Sequence, residues 1–365
     1  MEILILNVGS SSLKYAVYKD KELVLKGLIE GLYKKSFIKL FKIVKKYNIE
    51  AIGHRVVHGF SLTKPCIITK RSLKIIKKGI ELAPLHDYPE IKVIELCHEL
   101  FKVPQVAVFD TDFHSTIPDY ASTYAIPKKY RKKYKIKRYG FHGISHEYVY
   151  QKAKKILKKP LKKVISCHLG NGCSITAIKN GKSIDTSMGF TPLEGLIMAT
   201  RSGNIDPSIL LYLMKHEKLS AKEMGKILNH ESGLLALSER TSKMEKLRKG
   251  RNKKSKLAVN SFCYQVAKYI GAYITALNGA DAIIFTARLA TNSPDIREKI
   301  LSNFDYLGIK LDKSKNNKNS TIITKPTSKI PVLIIETDEE SIIAKETLKL
   351  IKWFLNQNLK KLGLI

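Results

Sequence analysis

The sequence predicts an α/β protein made of two copies of one domain, and three observations predict it. The chain has 365 residues, more than a single hydrophobic core ordinarily serves. Helical and strand patterns alternate along most of it, as expected for α/β layers. Finally, "NVGSSSLKYAVYKDKEL", from Asn7 to Leu23, resembles "HLGNGCSITAIKNGKSI", from His168 to Ile184, without gaps. Gly9 aligns with Gly170 and Val17 with Ile178. Each segment reads as strand, Gly/Ser turn, strand, tight turn, strand, with Asn180-Gly181 as a hairpin turn in the second. A repeat at this distance means two copies of a domain rather than a solenoid.

The remaining elements follow in order. "AIGHRVVHG" and "VPQVAVFDTDFH" read as strands ending in polar residues, and "RSLKIIKKGIELA" and "PEIKVIELCHELF" as amphipathic helices. "NSFCYQVAKYIGAYITALNG" is a long, mostly apolar helix expected between layers. "ADAIIFTA" is a central strand. "KSKNNKNSTIITKPTSK" is polar and turn-rich and is expected to be a surface loop before the strand "IPVLII". The last stretch, "EESIIAKETLKLIKWFLNQNLKKL", is an amphipathic helix with Trp353 and Leu355 expected on its apolar side.

Composition narrows the function classes. No apolar run is long enough to span a bilayer, and the first apolar run is too short for a signal peptide, so a cytoplasmic protein with no membrane partner is expected. The five cysteines lack C-x-x-C spacing, which argues for reduced thiols rather than zinc or a disulfide framework. The formal net charge is +33. Charge of that size attracts nucleic acid, but "KKPLKK" and "RKGRNKKSK" lack aromatics for stacking bases. Lysine spread over solvated faces explains the excess, and no nucleic-acid partner is expected. The charge does suit an anionic substrate.

Two sets of residues carry candidate chemistry. The Gly/Ser turns of the repeat offer backbone N–H groups to phosphate oxygens. In the first turn Ser10, Ser11 and Ser12 add hydroxyls and Lys14 adds charge. In the second, Gly170 and Gly172 permit close approach and Asn171 can donate. Facing each other across a cleft, two such turns would suit a nucleotide. The second set is Arg55, His86, Asp110, His142 and Arg201, each at a strand end or in a Gly-rich turn, where binding residues concentrate. Singly each reads as a surface arginine or a satisfied histidine. Together they suggest a site for two anions. "FTARLATNSP", residues 285 to 294, begins like a strand entering a phosphate turn but places Arg288, Leu289 and Ala290 where glycine is wanted.

The chain resembles acetate kinases, of the acetate and sugar kinase/Hsp70/actin superfamily, over nearly its whole length. The resemblance rests on "LNVGSSSLKY", "GHRVVHG", "APLH", "VFDTDFHSTIP", "RYGFHGISH", "CHLGNGCSITAIKNGKSIDTSMGFTPLEGLIMATRSGNIDP", "YIGAYITALNGADAIIFTA" and "TDEE". It implies duplicated ribonuclease H-like (actin-like ATPase) domains in two lobes around a central cleft, one of residues 1–148 plus 341–365 and one of 149–340. It implies Mg²⁺-dependent phosphoryl transfer between ATP and acetate, giving ADP and acetyl phosphate, by a homodimer. Arg55 and His86 then belong to the acetate site, with a methyl pocket of Val57, Leu85, Phe141 and Pro192. Arg201 and His142 would stabilise the phosphoryl in flight, and Asp110 would position metal or groups around it. Asn7 and Glu339 match the magnesium-associated positions. Ser10, Ser12, Lys14 and the turn His168, Leu169, Gly170, Asn171, Gly172 match ATP phosphate contacts.

The nucleotide side departs from the family pattern. Where the family has Gly-Ile-Gly-Glu-Asn, this chain has Arg288-Leu289-Ala290-Thr291-Asn292. Where it has Asp-Met-Arg in the adenosine turn, this chain has Lys243-Met244-Glu245, both charges reversed. Phe60-Ser61 after Gly59 also replaces the usual Gly-Gly-Glu. Altered nucleotide contacts, with Arg288 either gripping a phosphate or filling the adenosine pocket, are one reading. Another donor such as pyrophosphate and a catalytically impaired homologue are the others.

Overall fold

The computed structural model describes residues 1–9, 12–31, 34–82 and 84–361, apart from the side chains of residues 34, 35, 84–86, 358 and 361. The chain divides into two compact units. One comprises Met1–Ser115, His142–Ile144 and Asp338–Ile365; the other comprises Thr116–Phe141 and Ser145–Thr337.

The first unit is built on a sheet of β1 (Glu2–Val8), β2 (Ser12–Lys19), β3 (Glu22–Glu30), β4 (Ile49–Val56), β5 (Cys66–Ile67) and β6 (Gln105–Phe109), ordered β3-β2-β1-β4-β6-β5. β1 to β3 form an antiparallel meander, whereas β4 and β6 run parallel to β1. Period-2 alternation sends Leu4, Leu6 and Val8 to one face, against Phe37, Leu40 and Val44 of helix Lys34–Val44 and Val93 and Cys97 of helix Pro84–Leu100. The other face receives the C-terminal helix Glu339–Lys361. Its buried stripe is Ile343, Ala344, Thr347, Leu348 and Ile351, at helical spacing.

In the second unit the same order recurs. β7 (Lys163–Leu169), β8 (Cys173–Lys179), β9 (Lys182–Thr186), β10 (Ala282–Thr286) and β11 (Val332–Ile334) lie as β11-β10-β7-β8-β9. Again the first three are antiparallel and the last two run parallel to β7. The repeat seen in the sequence is therefore a repeat of topology, with three residues separating β1 from β2 and β7 from β8. Gly9 N–H donates to Ser12 O at 2.8 Å, and Gly170 N–H to Gly172 O at 3.0 Å. β10 is buried throughout, as a central strand should be.

Four expectations need correction. Trp353 and Leu355 are exposed, because Trp353 lies across the helix from the Thr347/Ile351 stripe and Leu355 lies near its far end. Helix Lys253–Leu277 starts earlier than its apolar run and is amphipathic: Phe262, Val266, Ile270 and Leu277 are buried while Leu257 and Tyr264 are exposed. Within the stretch expected as a surface loop, Lys313–Asn317 is helical, Asn316 and Ile323 are fully buried, and bridges join Leu311 to Thr324 and Ile322 to Leu333. Residues 116–141 group with the second unit. Thr116 Oγ1 donates to Ser183 O at 2.8 Å, and Arg138 donates to the carbonyls of Thr186, Ser187 and Met188 and to Glu194. All five cysteines are free thiols. Among the described residues no helix is long and apolar enough to cross a membrane.

Gly53 fixes how closely the C-terminal helix approaches β4, since a Cβ there would overlap Thr347 Oγ1 and press on Ile5 Cδ1. Gly53→Ala should destabilise the protein by about 1–3 kcal/mol, as overpacking does. Urea unfolding at unchanged m-value measures this, and a wild-type midpoint would contradict it.

Candidate functional site

Strand parity assembles the charged site of the first unit. Arg55 pairs in register with Val108, so Arg55 and Asp110, two residues beyond Val108, share a face. Leu6 pairs with His54, which places Asn7 beside Arg55 on that same face. This is the face that carries the C-terminal helix, whose first turn brings Glu339 and Glu340, acids favoured there by the helix dipole. Five residues from four distant parts of the chain thus meet where β1, β4 and β6 end.

Their hydrogen bonds are specific. Arg55 grips Asp110 bidentately, Nε to Oδ1 at 2.9 Å and Nη2 to Oδ2 at 2.6 Å. Its Nη1 donates to Asn7 Oδ1 at 3.3 Å and lies 4.0 Å from Glu339 Oε2. Asn7 Nδ2 donates to Glu339 Oε2 at 2.9 Å and Glu340 Oε1 at 2.8 Å. Lys26 in turn bonds Asp338 at 2.8 Å and Glu340 at 3.0 Å. Burial works against the charge on Arg55, but Asp110 and Glu339 more than offset it and hold the guanidinium above its ordinary value. Burial pushes the Asp110 carboxyl up, against the pull of Arg55 and of the His142 backbone N–H.

His142 has a φ of 58°, an uncommon conformation for a residue with a side chain. The next residue explains the turn. Gly143 N–H donates to Asp110 O at 2.9 Å, and a Cβ on Gly143 would collide with that oxygen. Val57 is buried immediately beyond Arg55. Lys14 stands opposite Asn7 in the β1–β2 ladder and is exposed; Ser12 is half-buried at the start of β2. Ser10 and the side chains of Leu85 and His86 lie outside the described residues.

In the second unit Arg201 is half-buried and donates to Pro192 O at 3.2 Å. No carboxylate among the described residues pairs with it, and burial lowers its pKa. A guanidinium in that state is poised for an anion. Phe141 is buried, and Pro192 is half-buried.

The turn after β7 opens onto a cavity of about 380 Å³ lined by Gly170, Asn171, Ala199, Leu234, residues 242–245, Arg288, Leu289 and Ser293. His168 is held by Ser145 Oγ at 2.8 Å from its Nδ1, and Leu169 is fully buried, so its side chain points away from any ligand. Arg288 does not fill the cavity: its side chain is 82% exposed, and Nη2 lies 3.7 Å from Glu245 Oε1. Asn292, expected beside it, instead lines a different cavity with Tyr148, Lys152 and Glu336, because the chain between them is helical (Arg288–Thr291) rather than an extended glycine turn.

That short helix has an unexpected support. Arg297, fully buried, donates to Ala290 O at 2.5 Å and Thr291 O at 2.9 Å, and to Asn316 Oδ1, Asn316 O and Asn319 Oδ1. No motif or spacing in the sequence marks Arg297, nor Lys26, Asp87 and Glu90. Glu340, also missed, did carry a signal, as the neighbour of Glu339 in "TDEE".

Residues 37–345 match the sequence profile of the acetokinase family. The chain belongs to that family. The acetate kinase of Thermoanaerobacterium thermosaccharolyticum is 47% identical, with 96% of this chain and 99% of that protein aligned. The acetate kinase of Carboxydothermus hydrogenoformans is 45% identical at the same coverage. A propionate kinase from Francisella tularensis superposes with a TM-score of 0.89 at 40% identity, covering 96% of this chain and 99% of its own. Porphyromonas gingivalis acetate kinase gives 0.87 at 34% identity, with the same coverage. As an acetokinase-family member the chain is a phosphotransferase with a carboxyl group as acceptor. Its duplicated sheets are those of the family's ribonuclease H-like, actin-like ATPase fold.

Replacing Arg297 by Met should cost about 3 kcal/mol or more, since five acceptors, most of them buried, lose a charged donor. Arg297→Lys should recover little of it, because an ammonium cannot reproduce the planar fork. Thermal unfolding of both variants is the measurement; wild-type stability in either would remove Arg297 from this role.

Proposed function

We propose that the chain transfers a phosphoryl group reversibly between ATP and acetate, giving ADP and acetyl phosphate by direct in-line displacement. The observation that carries the reading is the buried Arg55–Asp110 pair flanked by Asn7 and Glu339 at the strand ends. Acetate is already ionised at neutral pH, with a pKa of roughly 4, so no base is needed. The obstacle is bringing two anions together and spreading charge over the moving phosphoryl. Arg55 keeps a further N–H on each terminal nitrogen after bonding Asp110 and Asn7, and these suit a carboxylate. Asp110 and the His142 turn hold the guanidinium in place. Val57 is the apolar neighbour fitted to the acetate methyl, a role shared by family resemblance with Leu85, Phe141 and Pro192. Acetate is preferred and propionate tolerated, since one methylene discriminates by about 1–3 kcal/mol. Arg201, lacking a carboxylate partner, serves the charge that develops on the phosphoryl, together with His142.

The donor set suits Mg²⁺. Glu339 and Glu340 converge on Asn7 with Lys26 as their nearby ammonium, an excess of hard oxygen charge of the kind this ion takes along with water and phosphate oxygens. Glu339, beside Asn7, would hold the ion, which supplies neutralisation of phosphate charge when bound. On the nucleotide side, the cavity at Gly170 and Asn171 favours ATP over pyrophosphate as donor, because it offers room beyond the phosphates. The positive charge that the family carries at position 245 stands here at Arg288 instead. Its exposure favours an arginine at the rim that attracts the nucleotide over one that plugs its pocket. We place the enzyme in the cytoplasm as a homodimer. Helix Pro207–His216, which buries none of its residues and exposes Leu211 and Tyr212, supports self-association.

Hydroxamate formation from acetate with Mg²⁺ should proceed with ATP and not with pyrophosphate; turnover with neither, or with pyrophosphate alone, refutes the assignment. Arg201→Ala should lower kcat by about 10²–10³-fold, and an unchanged kcat would remove it from the transition state. Arg288→Ala should raise KM for ATP several-fold with little effect on kcat. Faster ATP turnover in that variant would mean that the arginine obstructs the site.

A further inference from the structure

Two carboxyl groups lie behind the acetate strand, and no step above uses them. Asp87 and Glu90, one turn apart on helix Pro84–Leu100, are buried to 0% and 1% exposure. Asp87 Oδ1 accepts from the His58 N–H at 3.1 Å, and Glu90 Oε2 from the Val57 N–H at 2.9 Å. These are consecutive amides just past the end of β4, two and three residues after Arg55. The two acids stand one turn apart on the same helix and accept from neighbouring amides, which brings their carboxyl groups together, and two carboxyls can hydrogen-bond to each other only if one of them holds a proton. Their outer oxygens, Asp87 Oδ2 and Glu90 Oε1, have no other partner. Above Asp87 the chain is at its closest at Gly79, where a Cβ would stand 2.7 Å from Oδ2. Backbone covers that side.

The charges around the pair are few. β4 contributes Arg55, already held by Asp110 from the end of β6 and lying 4.0 Å from Glu339. The turn at Gly79 contributes none, since Lys77, Lys78 and Glu81 point to solvent. Two further ionised carboxylates would leave this region with far more negative than positive charge, in a site that must accept an anion. Burial favours retention of a proton: it pushes the Asp87 carboxyl up to about 7 against the pull of the His58 amide and of Glu90, and burial together with the charge of Asp87 raises that of Glu90 well above its ordinary range. The proton belongs to the pair rather than to either residue.

We propose that Asp87 and Glu90 share one proton at neutral pH and act as positioning residues, holding the Val57–His58 backbone and through it Arg55 in place for the carboxylate substrate. The inference rests on the reading of Arg55 and Val57 as the acetate site. Alkali removes the shared proton. The two carboxylates then repel, the amides they hold shift, and a further negative charge opposes the incoming acetate.

The test measures KM for acetate and kcat of the full-length enzyme between about pH 6 and about pH 9. In the wild type KM should rise about tenfold over that range while kcat changes little. Glu90→Gln keeps an acceptor for Val57 and a permanent donor for Asp87, so its KM should stay flat. A Glu90→Gln profile that rises like the wild type overturns the proposal. Infrared difference spectra of the unliganded wild type form a second readout that needs neither activity nor the variant's folding. A protonated-carboxyl band should vanish over the same pH range, and if Glu90→Gln or Asp87→Asn folds, the band should be missing from it. Absence of any such band in the wild type overturns the proposal. If the band is present but no acetate turnover occurs, the kinase reading fails and the shared proton stands.

Discussion

The bidentate bond between Arg55 and Asp110 is the constraint on which the charged end of the first unit's sheet depends. Neither group could remain buried alone: an uncompensated charge there costs several kcal/mol, which pairing and added hydrogen bonds must offset. Each surrounding feature meets one of those needs. β4 and β6 run parallel with a register that puts both residues on one face. The His142–Gly143 turn delivers backbone N–H groups to Asp110, one to its carboxylate and one to its main-chain oxygen. Asn7 turns its amide oxygen to the arginine and its amide nitrogen to two glutamates, linking the pair to the start of the last helix. The pair is thus less a source of stability than a reason why three strands, one turn and one helix end must arrive together.

Much of this was legible because period and punctuation carry it. Alternating strands, Gly/Ser turns at matching offsets and the Asn180-Gly181 hairpin make the duplication visible in the amino-acid sequence, and strand order and turn length agree with it. Residues at strand ends and in Gly-rich turns are equally visible, which is how Arg55, Asp110, His142 and Arg201 could be named, whereas Asn7 and Glu339 came from the family resemblance alone. What escaped notice has a common cause. Arg297, Asp87 and Glu90 sit in ordinary helical patterns where a charged residue reads as solvated surface. Only tertiary packing reveals that they are fully buried and bonded to backbone groups from distant segments. Trp353 failed in the opposite direction: hydrophobicity suggested an inward face, but helical phase decides orientation, and the phase is set by Thr347 and Ile351 against β4.

Beside the cavity of the second unit, the glycine-poor segment after β10 has a defined architecture of its own. A glycine turn presents bare amides. Here a single helical turn, Arg288–Thr291, occupies that place, with its C-terminal carbonyls held by Arg297 and its first side chain lying beside Glu245 across the cavity rim. The departures are consequently not independent. A glutamate at 245 and an arginine at 288 stand within reach of each other, and a buried guanidinium secures the segment that carries the second of them.

Ala287, between β10 and that helical turn, has φ 66° and ψ 159°. Only glycine holds this part of backbone space without penalty, and another residue there carries about 1–3 kcal/mol of strain. The unfolded chain feels none of it. Alanine also restricts the disordered ensemble, an advantage over glycine of about 0.4–1 kcal/mol where the native backbone suits both residues. The two effects oppose each other, and the strain is the larger. The folded protein therefore carries a conformational load at the edge of the cavity after β7 that a single methyl group imposes, with the buried β10 on one side of it and a helical turn bonded to Arg297 on the other.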